Sequence, residues 1–119
     1  LLQLHTLKDL QGHPKLGASW EGFVLEQVIG TLNTPNTYFW ATHAGAELDL
    51  FVVVGGKRYG LEVKYADAPG KSRSMHMAIQ DLSLQHLWVI YPGQQEYPLD
   101  DKISIVPLET ALRLFDSLG

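Results

Sequence analysis

One stretch decides the fold: Glu47-Leu48-Asp49-Leu50-Phe51-Val52-Val53-Val54-Gly55-Gly56-Lys57-Arg58-Tyr59-Gly60-Leu61-Glu62-Val63-Lys64. Two apolar-rich, strand-like runs flank Gly55-Gly56 in it. A two-residue glycine loop between such runs predicts a β-hairpin. If the two glycines form the loop, Val54 pairs with Lys57, and the same spacing pairs Asp49 with Glu62.

The two faces of this hairpin are predicted to differ, because side chains alternate between faces along a strand. One face is predicted to be the core face and carries Leu48, Leu50, Val52, Val54, Tyr59, Leu61, Val63 and Tyr65. The other face carries Glu47, Asp49, Phe51, Val53, Arg58, Gly60, Glu62 and Lys64. The charged residues of the hairpin therefore gather on the second face.

Two carboxylates are expected to face each other on that second face. Asp49 and Glu62 would have Cβ atoms about 4.5–5.5 Å apart, a position in which like charges are unfavourable. A cation, a shared proton or free access to water would relieve the repulsion, and a divalent metal that prefers oxygen ligands would suit the pair. Lys64 lies one pair further along, where its ammonium group would orient or deprotonate a water, or stabilise developing phosphoryl charge. An ordinary cross-strand ion pair between Glu47 and Lys64 is the alternative.

The sequence on both sides of the hairpin predicts the remaining elements. A helix of about 14 residues, N-capped by Ser19, is expected to stop at Gly30 and the cluster 33–36. The other predicted elements are a loosely helical segment 1–10 ended by Gly12 and Pro14, strands 38–42, 86–91 and 103–106, a helix 74–84, and a last helix opened by Pro107. The main order of helix, three strands, helix, two strands and helix predicts an α/β sandwich on a mixed sheet.

Candidates outside the hairpin are weaker. Glu21 shares a helical stripe with apolar residues, so its carboxylate is either partly buried near the metal position or an ordinary first-turn acid. Lys71 and Arg73 precede the second long helix and are candidate phosphate contacts, or solvated loop residues. Gln80 on that helix and His43 before the second strand are further candidates. The aromatic residues on core elements, Trp20 among them, are interpreted as packing rather than base stacking.

Composition limits the functional classes. The 119 residues fit one domain, and the absence of cysteine excludes disulfides and thiolate metal sites. Available oxygen and nitrogen donors favour Mg²⁺, Mn²⁺ or Ca²⁺. The net charge of −4 counts against tight DNA or RNA binding by this chain alone. No apolar run approaches the roughly 20 residues of a membrane span, and we expect a cytoplasmic location.

The same residues carry a family resemblance. Asp49, followed after twelve residues by Glu62-Val63-Lys64, resembles the D…ExK motif of the PD-(D/E)xK nuclease superfamily. The segments 13–23, 42–49 and 60–64 resemble a C-terminal domain of unknown function found on predicted AAA-type ATPases of bacteria and archaea. The similarity runs from about Leu1 to Leu108. The sequence departs from the motif in having no proline before Asp49.

The resemblance implies a restriction-endonuclease-like core: a helix, a three-stranded antiparallel meander, a helix and a strand, with an extra C-terminal strand and helix. Residues 1–119 would form one such domain, a C-terminal fragment of a larger ATPase in which residues 1–14 are a linking segment. Asp49, Glu62 and the Val63 carbonyl would bind Mg²⁺ or Mn²⁺. Lys64 would be the catalytic lysine and Glu21 the helix acid. ATP would bind only to the upstream domain.

Two principal functions follow as hypotheses. The first is a Mg²⁺-dependent nuclease that hydrolyses phosphodiester bonds in DNA, with the N-terminal ATPase domain as a partner. The second is a catalytically silent module of the same fold that serves protein interaction or regulates the ATPase. A metal-bound structural site without turnover is a more distant third.

Overall fold

The computed structural model describes residues 2–3, 16–43 and 45–118, with the backbone alone for residues 2–3 and 16–18. Within this part of the chain there are three helices, six strands of four to eight residues, and one two-residue strand. In chain order they are β1 (Leu2–Gln3), α1 (Leu16–Leu32), β2 (Thr37–Ala41), β3 (Glu47–Val54), β4 (Lys57–Val63), α2 (Arg73–Leu82), β5 (His86–Tyr91), β6 (Tyr97–Asp100), β7 (Ile103–Pro107) and α3 (Leu108–Leu118).

All the strands form one mixed sheet in the order β1-β2-β3-β4-β5-β7-β6. Strands β2, β3 and β4 are an antiparallel meander, whereas β4, β5 and β7 run parallel to one another. The predicted mixed α/β architecture is therefore confirmed. Strand β6 was not predicted, because Pro98 lies within it and proline favours a turn; the position is tolerated because β6 is an edge strand.

Helices cover the sheet on both sides. The first core cluster joins α1 and α3 to one face and contains Val24, Leu25, Val28, Leu32, Leu50, Val52, Tyr59, Leu61, Val63, Ile90, Val106, Ala111 and Phe115. The second joins α2 to the other face and contains Trp40, Ala46, Leu48, Phe51, Met75, Ala78, Leu82, Leu84, Leu87, Val89, Tyr91, Ile103 and Ile105. The middle of the hairpin face that was predicted to carry the charges is thus buried as well, at Phe51 and Gly60, since α2 packs on it.

The hairpin register follows the prediction along most of its length. Pairs run from Val54 opposite Lys57 to Leu50 opposite Leu61. Both turn glycines have positive φ, 60° and 79°, which is the conformation a tight two-residue hairpin turn requires.

The register breaks where β3 meets β2. Tyr38 pairs with Phe51 but Trp40 pairs with Leu48, so β3 contains one extra residue at this point. Such a β-bulge shifts the alternation of side chains between faces. Leu48 therefore packs with Phe51 on the α2 side, and its predicted position on the same face as Leu50 is wrong.

The first helix differs from its predicted bounds. It begins at Leu16, so Ser19 lies inside it and is not the N-cap. An N-cap preference of about 1 kcal/mol is too small to fix a helix start against packing of the whole segment. Gly30 is also inside the helix, which ends before Asn33, a residue with φ of 45° whose N–H donates to the Ile29 carbonyl at 3.1 Å.

Two terminal predictions also change. Leu2 and Gln3 form a strand against β2 instead of a helical turn, and the rest of the segment 1–10, with Gly12 and Pro14, lies outside the described residues. Pro107 ends β7 rather than opening α3, which starts at the next residue. Among the described residues, no helix has the length and apolar character needed to cross a membrane.

Candidate functional site

A cleft of about 340 Å³ opens at the edge of the sheet where β4 ends and β3 begins. The carboxyl ends of the parallel strands β4, β5 and β7 also lie at this edge, which is where ligands bind in open α/β sheets. The cleft is lined by Glu21, Gly45, Glu47, Asp49, Glu62, Val63, Lys64, Ser72 and Ser74. Every residue predicted to be catalytic or to bind metal is in this set.

The two central carboxylates are each held by the backbone of the opposite strand. Glu62 Oε1 accepts the N–H of Asp49 at 3.1 Å, and Asp49 Oδ2 accepts the N–H of Val63 at 2.8 Å. These two bonds connect the strands just beyond the last regular pair of the hairpin. Within the described residues they leave Asp49 Oδ1 and Glu62 Oε2 without a backbone hydrogen bond.

Lys64 completes this group. Its Nζ lies 3.6 Å from Glu62 Oε2, and its side chain is 47% exposed while that of Glu62 is 9% exposed. The Lys64 N–H donates to the Ile90 carbonyl at 2.9 Å, which fixes the end of β4 against β5. The alternative ion pair between Lys64 and Glu47 is not formed: Lys64 pairs with Glu62, and Glu47 lies opposite Ala41 on β2.

Burial dominates the electrostatics of the site. Burial, and then the charge of Asp49, raise the pKa of Glu62 to about 8. Burial also raises the pKa of Asp49 to about 6, assisted by the charges of Glu21 and Glu47 and opposed by the Val63 N–H and Lys64. Without a cation, the pair therefore retains a proton near neutral pH, because two buried carboxylates this close do not both ionise readily.

We expect the metal-free chain to lose stability as the pH rises from about 5 to about 8. Both groups have folded pKa values above their ordinary values, so the folded state binds these protons more tightly than the unfolded state. The resulting stabilisation is complete below about pH 4 and is lost as the pH passes about 6 and then about 8. Thermal unfolding in EDTA across this range measures it.

The matched control for this pH dependence is Glu62→Gln, because a glutamine side chain carries no charge at any pH. As the pH rises, the unfolding temperature of the native chain should fall relative to that of the variant. A constant difference from about pH 4 to about pH 9 would contradict the strained carboxylate pair.

The donor set fits a hard divalent cation. Two carboxylates and the Val63 carbonyl supply oxygen ligands, and Mg²⁺ typically takes one or two protein carboxylates with water or substrate oxygens in the other positions. Among the described residues, no group of three or more histidine, aspartate or glutamate side chains is placed to hold a metal ion by itself. The protein would therefore provide only part of the coordination shell.

Glu21 reaches the cleft from α1. Because the helix begins at Leu16, Glu21 is the sixth helical residue, and the interpretation as a first-turn acid is wrong. Its charge contributes to the raised pKa of Asp49, which places the two carboxylates within electrostatic reach. The arrangement supports a helix acid beside the two central carboxylates.

Helix α2 contributes residues to the cleft that the sequence analysis did not identify as candidates. Ser72 is the N-cap of α2, where its Oγ accepts the Met75 N–H at 3.2 Å, and both Ser72 and Ser74 line the cleft. A serine pair at a predicted helix start is the signal that would have found them. Lys71, a candidate phosphate contact, does not line the cleft and pairs with Asp100 at 3.6 Å.

The remaining candidates lie outside the lining of the cleft. Arg73 is the first residue of α2 and borders a neighbouring pocket of about 180 Å³ with Gly45 and Ser74. Gln80, on the same helix, and His43, after β2, are exposed and do not line the cleft.

Comparison with known proteins places the chain in context. A family model described as a domain of unknown function, DUF4143, matches residues 16–111. Two similar relatives are uncharacterized proteins of Mycobacterium bovis and Mycobacterium tuberculosis, each 48% identical over 112 residues. The match covers 94% of this chain and 25% of each relative, so the chain spans about a quarter of their length. No solved structure matches the chain significantly.

Proposed function

We propose a function for this chain, which belongs to the DUF4143 family of domains of unknown function, from the chemistry of its cleft: Mg²⁺-dependent hydrolysis of phosphodiester bonds in DNA. The observation that carries the proposal is the Asp49–Glu62 pair, two largely buried carboxylates fixed by each other's strand, with the Lys64 ammonium 3.6 Å from one of them. Burying such a pair is costly without a cation, so we infer that a metal ion compensates it.

The order of elements supports a restriction-endonuclease-like core of the PD-(D/E)xK type. Helix α1 is followed by the meander β2-β3-β4, then by α2 and β5, with β6, β7 and α3 added at the C-terminal end. The acidic residues lie at the start of β3 and the end of β4, and the lysine follows at the end of β4. This placement brings the residues of the D…ExK motif to one edge of the sheet, which supports the proposal.

Five of the nine residues that line the cleft have a proposed role. Asp49, Glu62 and the Val63 carbonyl would hold Mg²⁺ or Mn²⁺, which when bound supplies Lewis-acid stabilisation of phosphoryl oxygens. Lys64 is half exposed at the mouth of the site, so its ammonium orients the attacking water or stabilises the charge that develops on the phosphate. Glu21 would orient water from the α1 side.

The acidic surface constrains how DNA would reach the cleft. A chain with a net charge of −4 gains little from phosphate neutralisation, which supplies most of the affinity of duplex-binding proteins. The chain covers 25% of the length of each relative. We propose that the upstream ATPase domain implied by the family resemblance, the part that would bind ATP, delivers the nucleic acid in the cytoplasm.

A catalytically silent module that binds or regulates the ATPase is the second candidate. Two observations favour it: the acidic net charge, and the lack of a third side-chain ligand among the described residues. In this alternative the carboxylate pair would stay protonated and serve only to connect β3 and β4.

A metal titration tests the proposed function. We expect Mg²⁺ and Mn²⁺ to bind the chain saturably at up to millimolar concentration, with heat release and a raised unfolding temperature. Asp49→Asn and Glu62→Gln should each weaken binding by about tenfold or more, since each removes a charged ligand. Isothermal titration calorimetry beside thermal shift gives the two readouts.

The matched control is Glu26→Gln, which removes an exposed carboxylate of α1 that does not line the cleft. This variant should bind metal as the native chain does. Absence of saturable binding at millimolar metal would overturn the nuclease proposal for this chain and favour the silent module.

A further inference from the structure

An aromatic patch lies beside the cleft. In the described part of the chain, the exposed large hydrophobic residues are Phe23, 48% exposed, and Tyr65, 47% exposed. The Tyr65 ring contacts Trp20, with centroids 5.8 Å apart and planes at 59°. Trp20 and Phe23 are three positions apart on α1, a spacing that places side chains on the same side of a helix. We call these three residues the aromatic patch.

The contact between Trp20 and Tyr65 lies at the same edge of the sheet as the cleft. Tyr65 follows Lys64 at the end of β4, and Trp20 precedes Glu21 on α1, so the backbone positions of the patch and of the cleft residues are adjacent. On its other side, Trp20 lines a second pocket of about 220 Å³ together with Tyr91, Pro92, Gly93, Gln94, Pro107, Leu108 and Glu109. The patch therefore connects the cleft to a neighbouring pocket along the same edge of the sheet.

The charges around the cleft are mostly negative, so we expect base stacking on the patch to supply affinity for a polynucleotide that phosphate contacts do not. Glu21, Glu47, Asp49 and Glu62 line the cleft with one cation, Lys64. Phosphate contacts alone would therefore bind a polynucleotide weakly, even after one divalent ion neutralises two of the carboxylates. Stacking of bases on aromatic rings depends on no phosphate charge and tolerates any sequence, because every base has a flat face.

We infer that the aromatic patch stacks an unpaired nucleobase next to the phosphodiester in the cleft, so that single-stranded DNA, or a single-stranded end, is the substrate class. The inference rests on the proposed function and adds the form of the nucleic acid. Bases inside an intact duplex are stacked on one another and reach a protein surface ring only when they are flipped out. The patch thus selects against uninterrupted duplex.

The size of the patch favours a base over a protein partner. An aromatic side chain buries about 150–250 Å² when fully covered, and two of these three rings are already half covered. A stable protein interface buries about 800 Å² on each partner. Trp20 is half-buried and packs against the first core cluster, so its interpretation as a packing residue is confirmed in part. Trp20 also lines the second pocket.

Fluorescence anisotropy in EDTA tests the inference without turnover. The probes are a labelled twelve-residue oligothymidine, an abasic oligonucleotide of equal length, and a blunt duplex. We expect oligothymidine to bind about tenfold more tightly than either comparison probe. Tyr65→Ala should remove most of this preference, whereas Tyr65→Phe should retain it because the ring remains.

Phe39→Ala is the matched control, a partly exposed aromatic on β2 that lies two strands away from β4. This variant should keep the preference for oligothymidine. Equal binding of oligothymidine and the abasic probe, or unchanged binding by Tyr65→Ala, overturns the inference. Concentration-dependent dimerisation that Tyr65→Ala abolishes, with no preference for oligothymidine, would assign the patch to a second copy and also overturn it.

Failure of this inference is separable from failure of the proposed function. Saturable Mg²⁺ binding without discrimination between the probes would overturn the stacking surface alone. Stacking without metal binding would overturn the phosphodiesterase and leave a single-strand-binding surface. Asp49→Asn should bind oligothymidine in EDTA at least as tightly as the native chain, since it removes a negative charge from the cleft and leaves the patch intact.

Discussion

Replacing Lys64 with alanine is expected to lower the rate of the proposed Mg²⁺-dependent phosphodiester hydrolysis by about 10²- to 10⁴-fold. The lysine Nζ lies at the mouth of the cleft, 3.6 Å from Glu62 Oε2, where it would act on water or on a phosphoryl oxygen. The proposed metal ligands are other groups, so Mg²⁺ affinity should persist. Single-turnover cleavage of a labelled single strand at saturating metal measures the loss in the chemical step.

Two further variants identify what Lys64 does. Lys64→Arg keeps the positive charge but does not release a proton at neutral pH, so retained activity would indicate charge stabilisation and lost activity a proton transfer. Lys57→Ala removes an exposed lysine at the other end of β4 and should leave the rate unchanged. Equal rates for Lys64→Ala and the native chain would remove Lys64 from the catalytic group.

The hairpin and its candidate site residues are predictable because their determinants are local. Gly55-Gly56 sets the turn, and period-two alternation then fixes the register as far as Leu50 opposite Leu61. The bulge in β3 is not local: it arises where β3 pairs with β2 on its other side. Sequence reasoning therefore placed Asp49 and Glu62 together but assigned Leu48 to the wrong face.

The parts of the site that were missed come from other elements. Ser72 and Ser74 reach the cleft only because α2 packs on the face opposite α1, which hairpin spacing does not reveal. The same holds for Trp20, whose contact with Tyr65 joins the first helix to the end of β4. Pairs within one hairpin can be counted from sequence, whereas contacts between separate layers depend on the completed fold.

Replacing Phe115 with alanine is expected to lower the free energy of unfolding by about 3–5 kcal/mol. Phe115 is the largest fully buried side chain among the described residues. Its ring contacts the Trp88 ring edge-on, with centroids 5.3 Å apart. Truncation removes this contact and leaves a cavity between α3 and the sheet, where α1 also packs. Urea unfolding measures the change in the free energy of unfolding directly, provided that this free energy depends equally steeply on urea concentration in both chains.

Asp116→Ala is the matched control, because it changes the next residue on the exposed side of α3 and should alter stability by no more than about 0.5 kcal/mol. If the proposed Mg²⁺ site is real, a folded Phe115→Ala chain should still bind Mg²⁺, since the proposed ligands belong to β3 and β4 rather than to α3. A loss of about 3–5 kcal/mol in the free energy of unfolding with metal binding preserved would show that α3 stabilises the fold without shaping the cleft. A loss below about 1 kcal/mol would contradict the packing of α3 on the sheet.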